Sequence, residues 1–130
     1  MTVESRSNDN GPRHQTKILV IDDDPMTCQL LTLKLEMQGY ACATASGAEQ
    51  VLAVIAAVAP TLVLLDFHLG DQGGLDLLRA IRSQAGYRHL PVVVMSGLDY
   101  RQECELAGAD GFILKPFSLQ DLITTIEEVV

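Results

Sequence analysis

The chain has 130 residues, of which 48% are hydrophobic and 20% charged, and 17 acidic residues against 9 Lys and Arg give a formal net charge of −8. This composition is typical of one globular domain that needs no disulfide or structural metal, and the acidic charge argues against direct nucleic-acid binding. The three cysteines lie far apart without a C-x-x-C pair, which argues against a disulfide framework or zinc site and favours a reducing, cytoplasmic setting.

Neither a membrane segment nor a secretory signal is evident. The most apolar run, residues 51–59, is less than half the roughly 20 residues that span a bilayer, so we expect no membrane insertion. The amino terminus is polar and lacks an apolar signal segment. We predict a flexible polar tail over residues 1–15 and one folded domain over residues 16–130.

From Lys17 onward, short apolar runs alternate with longer segments of helical period. Five strands are predicted, at residues 17–21, 41–45, 61–65, 91–95 and 111–114. Five helices are predicted between and after them, at residues 25–38, 46–58, 75–84, 99–107 (short) and from Ser118 onward. The alternation implies right-handed crossovers and an α/β fold: a doubly wound, five-stranded parallel sheet with helices on both faces.

The helix starts carry capping signals. Asp24 is placed as the N-cap before Pro25, and capping-box spacing occurs at residues 46–49 and 118–121. In the first helix, an apolar face is predicted at steps of three and four, with two more leucines widening it; its members are Leu30, Leu33 and Met37, then Leu31 and Leu35.

Polar side chains follow four of the five strands, at the point where each strand ends. They are Asp22 and Asp23, Asp66, Ser96, and Lys115. Each has an ordinary explanation alone, as a helix cap, a turn residue or a solvated charge. The carboxyl ends of parallel strands meet at one edge of the sheet, where doubly wound folds bind ligands, so their convergence favours a site.

Three neighbouring carboxylates repel one another unless one is protonated or a cation neutralises them. Oxygen ligands without Cys or suitably spaced His select a hard cation, and Mg²⁺ suits a site with few protein ligands. Next to the Lys115 ammonium and the Ser96 hydroxyl, such a site would hold a phosphoryl group. One carboxylate could then act as nucleophile and form an aspartyl phosphate.

These motifs resemble the response-regulator receiver domains of two-component and phosphorelay signalling. The resemblance spans about residues 16–130 and is carried by ILVIDDDP, LVLLD, GLDLLRAIR, PVVVMSG and AGADGFILKPF. It implies a flavodoxin-like sheet with strand order 2-1-3-4-5. It also implies a signalling phosphoprotein rather than an enzyme, with only self-catalysed phosphotransfer and slow autodephosphorylation.

By this resemblance, Asp66 is the phosphoacceptor, and Asp22 and Asp23 are the acidic pair that positions Mg²⁺. Asp66 itself and the backbone carbonyl of His68 are also expected to bind the metal. The phosphodonor would be a histidine kinase or a histidine phosphotransfer protein.

The resemblance also assigns the switch residues. Ser96 is similar to the switch hydroxyl, Lys115 to the lysine that pairs with the phosphoryl group, and Phe112 to the aromatic switch position. Lys115–Pro116 resembles the family's cis peptide.

Two departures from the family pattern are visible. Gly70 stands where the acceptor loop usually has proline, and the fourth helix is short. No effector sequence follows the fifth helix, so we expect a single-domain regulator or phosphorelay intermediate that switches its surface for an unknown downstream protein.

Two alternatives belong to other functional classes. A haloacid-dehalogenase-type phosphohydrolase also uses a nucleophilic Asp with Mg²⁺, but it needs a second Asp two residues later, where this chain has His68. A receiver-shaped interaction module that is never phosphorylated stays open, although the complete set of polar strand-end residues counts against it.

Overall fold

The computed structural model describes residues 15–70 and 73–130. Its strands are β1 (Lys17–Ile21), β2 (Ala41–Ala45), β3 (Leu62–Asp66), β4 (Val92–Ser96) and β5 (Gly111–Leu114). Its helices are α1 (Pro25–Met37), α2 (Ala48–Val58), α3 (Gly74–Ser83), α4 (Arg101–Leu106) and α5 (Leu119–Val129), with a 3₁₀ turn at Ala85–Tyr87. The predicted tail lies, apart from Gln15, outside the described residues.

All five strands are parallel, in the order β2-β1-β3-β4-β5, which confirms the predicted sheet and its strand order. Because side chains alternate along a strand, β1 contributes to two cores. Ile18 and Val20 pack with α1 and α5, whereas Leu19 and Ile21 pack with α2 and α3. Both faces of the sheet are therefore covered, as its continuous apolar strands indicate.

Two of the three predicted caps are confirmed. The Asp24 carboxylate accepts a hydrogen bond from the Met26 N–H, and Ser118 and Asp121 form a reciprocal capping box. The prediction that Ser46 caps α2 was wrong. Gly47 adopts the extended N-cap conformation and α2 begins at Ala48, so Ser46 lies one residue too early to accept from the first turn.

The predicted inner face of α1 was partly wrong. Leu31 and Leu35 are buried, but Leu30, Leu33 and Met37 are 53%, 56% and 75% exposed. The sequence is apolar on two faces of this helix, and the face that also carries Cys28 packs on the sheet. The outward face, which we call the α1 stripe, consists of Met26, Leu30, Leu33 and Met37.

The short fourth helix is confirmed, since α4 has six residues. Among residues 15–70 and 73–130, no helix combines the length and apolar character needed to cross a membrane. Because all five strands are parallel, the polar residues at their carboxyl ends lie at one edge of the sheet.

Candidate functional site

The strand-end residues lie together at the carboxyl edge of the sheet. Asp22 directly follows β1, and Asp66 and Ser96 are the last residues of β3 and β4. These three residues are buried, with 2%, 6% and 0% of their surface exposed, although all are polar. Lys115 directly follows β5, and Asp23 is exposed on the rim.

Asp22, Asp23 and Asp66 form one acidic cluster. Each contributes a carboxylate oxygen, and these oxygens lie within 4.8 Å of one another. Asp22 Oδ1 accepts a hydrogen bond from the Asp24 N–H at 3.0 Å, whereas its Oδ2 is buried and has no hydrogen-bond partner among the described residues. An unpaired buried oxygen beside two other carboxylates is an arrangement that a cation would satisfy.

The charge balance of the cluster points the same way. Burial raises the pKa of Asp22, and the nearby Asp66 and Asp23 carboxylates raise it further, against the opposing effects of the Asp24 N–H and the Lys115 ammonium. The cluster contains only oxygen ligands, which fits a hard cation such as Mg²⁺. Asp23 Oδ2 also accepts a hydrogen bond from the Gly70 N–H at 3.0 Å, which ties the loop after β3 to the loop after β1.

Lys115 supplies the positive charge of the site. Its Nζ lies 3.1 Å from Asp66 Oδ1, and its backbone N–H donates to the Ser96 carbonyl at 2.7 Å, so β5 holds the ammonium against the end of β3. The Lys115–Pro116 peptide is cis, as expected from the resemblance. Ser96 Oγ accepts a hydrogen bond from the Leu98 N–H at 3.1 Å, which leaves the hydroxyl proton to be donated.

Phe112 and His68 lie around this centre rather than in it. Phe112 pairs with Val94 across the sheet, and the Arg101 guanidinium lies over its ring at 5.2 Å from the ring centre. His68 is exposed in the loop after β3, with its ring 5.1 Å from that of Phe67. The metal contact expected of the His68 carbonyl stays a prediction.

Gly74 also belongs to the site, although it was not predicted from the sequence. A Cβ at Gly74 would collide with the Asp66 carbonyl, and the Gly74 N–H donates to the Phe67 carbonyl at 2.7 Å. The first turn of α3 therefore packs directly behind the end of β3, which only glycine permits. The Gly73–Gly74 pair before an apolar helical pattern was the available signal.

A second feature that was missed is an aromatic stack beside Asp66. The Phe67 and Tyr100 rings are nearly parallel, with an interplanar angle of 7° and 4.3 Å between their centres. The residues are 33 positions apart, on the loops after β3 and β4, so no local sequence pattern links them.

Comparison with known proteins places this geometry in a family. The family model described as "Response regulator receiver domain" matches residues 18–127. The transcriptional regulatory protein KdpE of Mycobacterium tuberculosis is 34% identical over 118 residues, covering 88% of this chain and 51% of the relative. The DNA-binding response regulator MtrA of Mycolicibacterium smegmatis is 32% identical over 113 residues, covering 85% and 48%.

This chain thus spans about half the length of these curated relatives. Among solved structures, the chemotaxis protein CheY4 of Vibrio cholerae superposes with a TM-score of 0.83 at 25% identity, covering 88% of this chain and 98% of that chain. The strand order, the family match and these relatives agree, and the chain belongs to the response regulator receiver domain family.

Proposed function

We propose that this receiver domain is a phosphoacceptor, and that Asp66 receives a phosphoryl group from a histidine kinase or a histidine phosphotransfer protein in the presence of Mg²⁺. The observation that carries the proposal is the surroundings of Asp66. Its buried carboxylate has an ammonium at 3.1 Å and shares a cluster with two other carboxylates.

In the proposed reaction, a carboxylate oxygen of Asp66 attacks the phosphorus of a phosphohistidine. The phosphorus–nitrogen bond breaks, and the departing imidazole nitrogen takes its proton from solvent. The Lys115 ammonium and the Ser96 hydroxyl bind phosphoryl oxygens as the new bond forms. Mg²⁺, held by Asp22, Asp23, Asp66 and the His68 carbonyl, would neutralise further phosphoryl charge.

The α1 stripe is the proposed docking surface for the phosphodonor. It begins at Met26, three residues after Asp23, so a protein seated on it lies beside the acidic cluster. Its members are spaced four, three and four residues apart, which is the spacing of an apolar helix-packing seam. Contiguous exposed apolar side chains mark interaction surfaces, and a helix of the phosphodonor fits this one.

Docking and chemistry separate cleanly in an experiment. Leu30→Glu and Leu33→Glu should slow transfer from a histidine phosphotransfer protein while leaving labelling by acetyl phosphate unchanged. Ile55→Ala, on the buried face of α2, is the control for general loss of stability and should leave the ratio of the two transfer rates unchanged. Equal transfer from the protein donor in the Glu variants and the parent would contradict the docking site.

The central test is intact-mass measurement after acetyl phosphate treatment with Mg²⁺. We expect one added phosphoryl group in the parent, none in Asp66→Asn, and parental labelling in Asp76→Asn, which removes an exposed carboxylate on α3. EDTA should abolish labelling. Undiminished labelling of Asp66→Asn, or labelling that ignores EDTA, would show the assignment to be wrong.

We propose that the protein signals in the cytoplasm and has no enzymatic turnover; its three free thiols support the cytoplasmic location. We also propose that its output passes through a partner protein and not through direct contact with nucleic acid, which the net charge of −8 supports. The alternative of an unphosphorylated interaction module is favoured by the six-residue α4 and by Gly70 in the acceptor loop. An unchanged NMR spectrum on addition of beryllofluoride and Mg²⁺ would support that alternative.

A further inference from the structure

The stack between Phe67 and Tyr100 joins the two loops that matter most to the acceptor. Phe67 directly follows Asp66, and its ring lies 4.3 Å from the Tyr100 ring at an interplanar angle of 7°. Tyr100 is the last residue of the 97–100 segment, which follows Ser96 and immediately precedes α4. The stack therefore connects the loop after the acceptor strand with the segment that directly follows the switch residue Ser96.

Both sides of this connection are anchored to the backbone. The Phe67 N–H donates to Met95 at 2.8 Å, and its carbonyl accepts from Gly74 at 2.7 Å. On the other side, the Tyr100 N–H donates to the Leu98 carbonyl at 3.0 Å, and its own carbonyl accepts from the Cys104 N–H in α4. The Phe67 ring is thus a fixed support, and the Tyr100 ring is the contact by which the 97–100 segment rests on it.

The segment also has few other restraints. Gly97, Leu98 and Asp99 are exposed, and the Leu98 N–H bonds back to Ser96 Oγ within the same segment. Exposed residues with mostly local hydrogen bonds open at low free-energy cost. Two ring contacts of Tyr100 link the segment to the loop after β3: the stack on Phe67 and an edge contact with the His68 ring at 6.4 Å between ring centres.

We propose that Tyr100 is a positioning residue for the aspartyl phosphate: by stacking on Phe67, it holds the 97–100 segment near Asp66 and limits the access of water. This inference rests on the proposed function. In hydrolysis, a water oxygen attacks phosphorus, the bond from phosphorus to the Asp66 oxygen breaks, and inorganic phosphate and the free carboxylate are released. With the segment held closed, the Ser96 hydroxyl keeps its hydrogen bond to a phosphoryl oxygen, and the approach of water to phosphorus is restricted.

The size of the effect follows from the stack. An aromatic pair contributes roughly 0.5–1.5 kcal/mol beyond its buried area, which corresponds to about a 2- to 10-fold change in the population of the opened segment. Loss of the Tyr100 ring should therefore shorten the half-life of the phosphorylated protein by about that factor.

The experiment measures the half-life of the phosphorylated protein by intact mass after the acetyl phosphate is removed. Tyr100→Leu should shorten it by about 2- to 10-fold, whereas Tyr100→Phe, which keeps the stack, should restore the parental value. Phe67→Leu should also shorten the half-life, and the double variant should lose little more than Tyr100→Leu alone, because Tyr100→Leu already removes the stack. Tyr87→Leu, in the 3₁₀ turn, should leave the half-life unchanged.

Amide hydrogen exchange supplies a second readout in the unphosphorylated protein. Exchange of residues 97–100 should accelerate in Tyr100→Leu and not in Tyr100→Phe, whereas a purely global destabilisation would accelerate exchange throughout the core. A parental half-life in Tyr100→Leu would overturn the role of Tyr100 but not the proposed function. A Tyr100→Phe variant whose phosphoryl group is lost as fast as in Tyr100→Leu would have the same meaning. A parent that is never labelled overturns both the proposed function and this role for Tyr100.

Discussion

Asp22→Asn should make the metal-free protein more stable, although it alters a buried polar residue next to the acceptor. Asp22 is 2% exposed, its Oδ2 has no hydrogen-bond partner among the described residues, and two other carboxylates lie within 4.8 Å. The asparagine keeps an oxygen to accept the Asp24 N–H. Its new amide group donates hydrogen bonds and can face the neighbouring carboxylates, so one negative charge is exchanged for a donor.

The magnitude follows from Coulomb's law. Two unit charges 4.8 Å apart repel by about 3 kcal/mol at an effective dielectric constant of about 20. The Lys115 ammonium, the Asp24 N–H and relaxation of the exposed Asp23 side chain offset much of this repulsion. We therefore expect a net gain of about 1–2 kcal/mol, or a rise in Tm of roughly 4–8 °C for a domain of this size.

The gain should depend on pH with a definite sign. Burial and the adjacent carboxylates raise the pKa of Asp22 above 3.8, so the folded state holds its proton more tightly than the unfolded state does. Ionising Asp22 in the folded state lowers the free energy of unfolding. This loss is absent at pH values below 3.8 and is complete at pH values above the raised pKa of the folded state. The parent thus loses stability as pH rises through this interval, and the advantage of Asp22→Asn should shrink as pH falls toward 4.

Urea unfolding in EDTA, at several pH values, measures this advantage, and adding Mg²⁺ provides the second arm. Metal at 100 times its dissociation constant would stabilise the parent by about 2.7 kcal/mol, and the variant by less, because it lacks one ligand charge. The stability difference between Asp22→Asn and the parent should therefore become smaller, or change sign, when Mg²⁺ is added. A variant less stable than the parent in EDTA at neutral pH, or an advantage that does not change with pH, would refute the reasoning.

Three further substitutions test how the site is supported. Gly74→Ala should destabilise the domain by about 1–3 kcal/mol and slow labelling, because its Cβ meets the Asp66 carbonyl; unfolding curves that coincide with the parent would contradict this close packing. Arg82→Met should lower the free energy of unfolding by about 3 kcal/mol, because the guanidinium donates hydrogen bonds to three carbonyls and one carboxylate, those of Gly108, Tyr87, Leu90 and Asp110. Thermal melting measures this loss, and a loss below about 1 kcal/mol would mean that water replaces these bonds. Ser118→Ala should cost about 1 kcal/mol through loss of the α5 capping box without changing the labelling of Asp66, and an unchanged urea midpoint would show that the box contributes nothing.

The strand pattern and the strand-end residues were predictable because both depend on local sequence. Apolar runs bounded by turn residues fixed the five strands to within one residue, as β3 shows by beginning at Leu62 rather than Thr61. A parallel sheet then brings every strand end to one edge, so Asp66 and Lys115 could be expected to meet although 49 positions separate them.

Features that depend on which of two similar surfaces is buried were not predictable. In α1, the steps from Cys28 to Leu31 and Leu35 are as regular as those from Met26 to Leu30 and Leu33, so helical period alone cannot choose between them. The choice is made by tertiary packing, where the Cys28 thiol lies 3.2 Å from the Asp22 carbonyl. Because the buried face of α1 was predicted incorrectly, the exposed α1 stripe, which is the proposed docking surface, was not predicted either.

The position of the acidic cluster follows from the topology of the chain rather than from the choice of acidic residues alone. From β1 the chain crosses to β2 on one side, and from β3 it crosses to β4 on the other, so the loops after β1 and β3 diverge and leave a crevice between adjacent strands. Asp22 follows β1 and Asp66 ends the neighbouring β3, and their carboxylate oxygens lie within 4.8 Å of each other at this edge. Because the sheet fixes the separation of these two strand ends, the buried Asp22 and Asp66 have little room to move apart, and a bound cation together with Lys115 can relieve their repulsion without unfolding the edge.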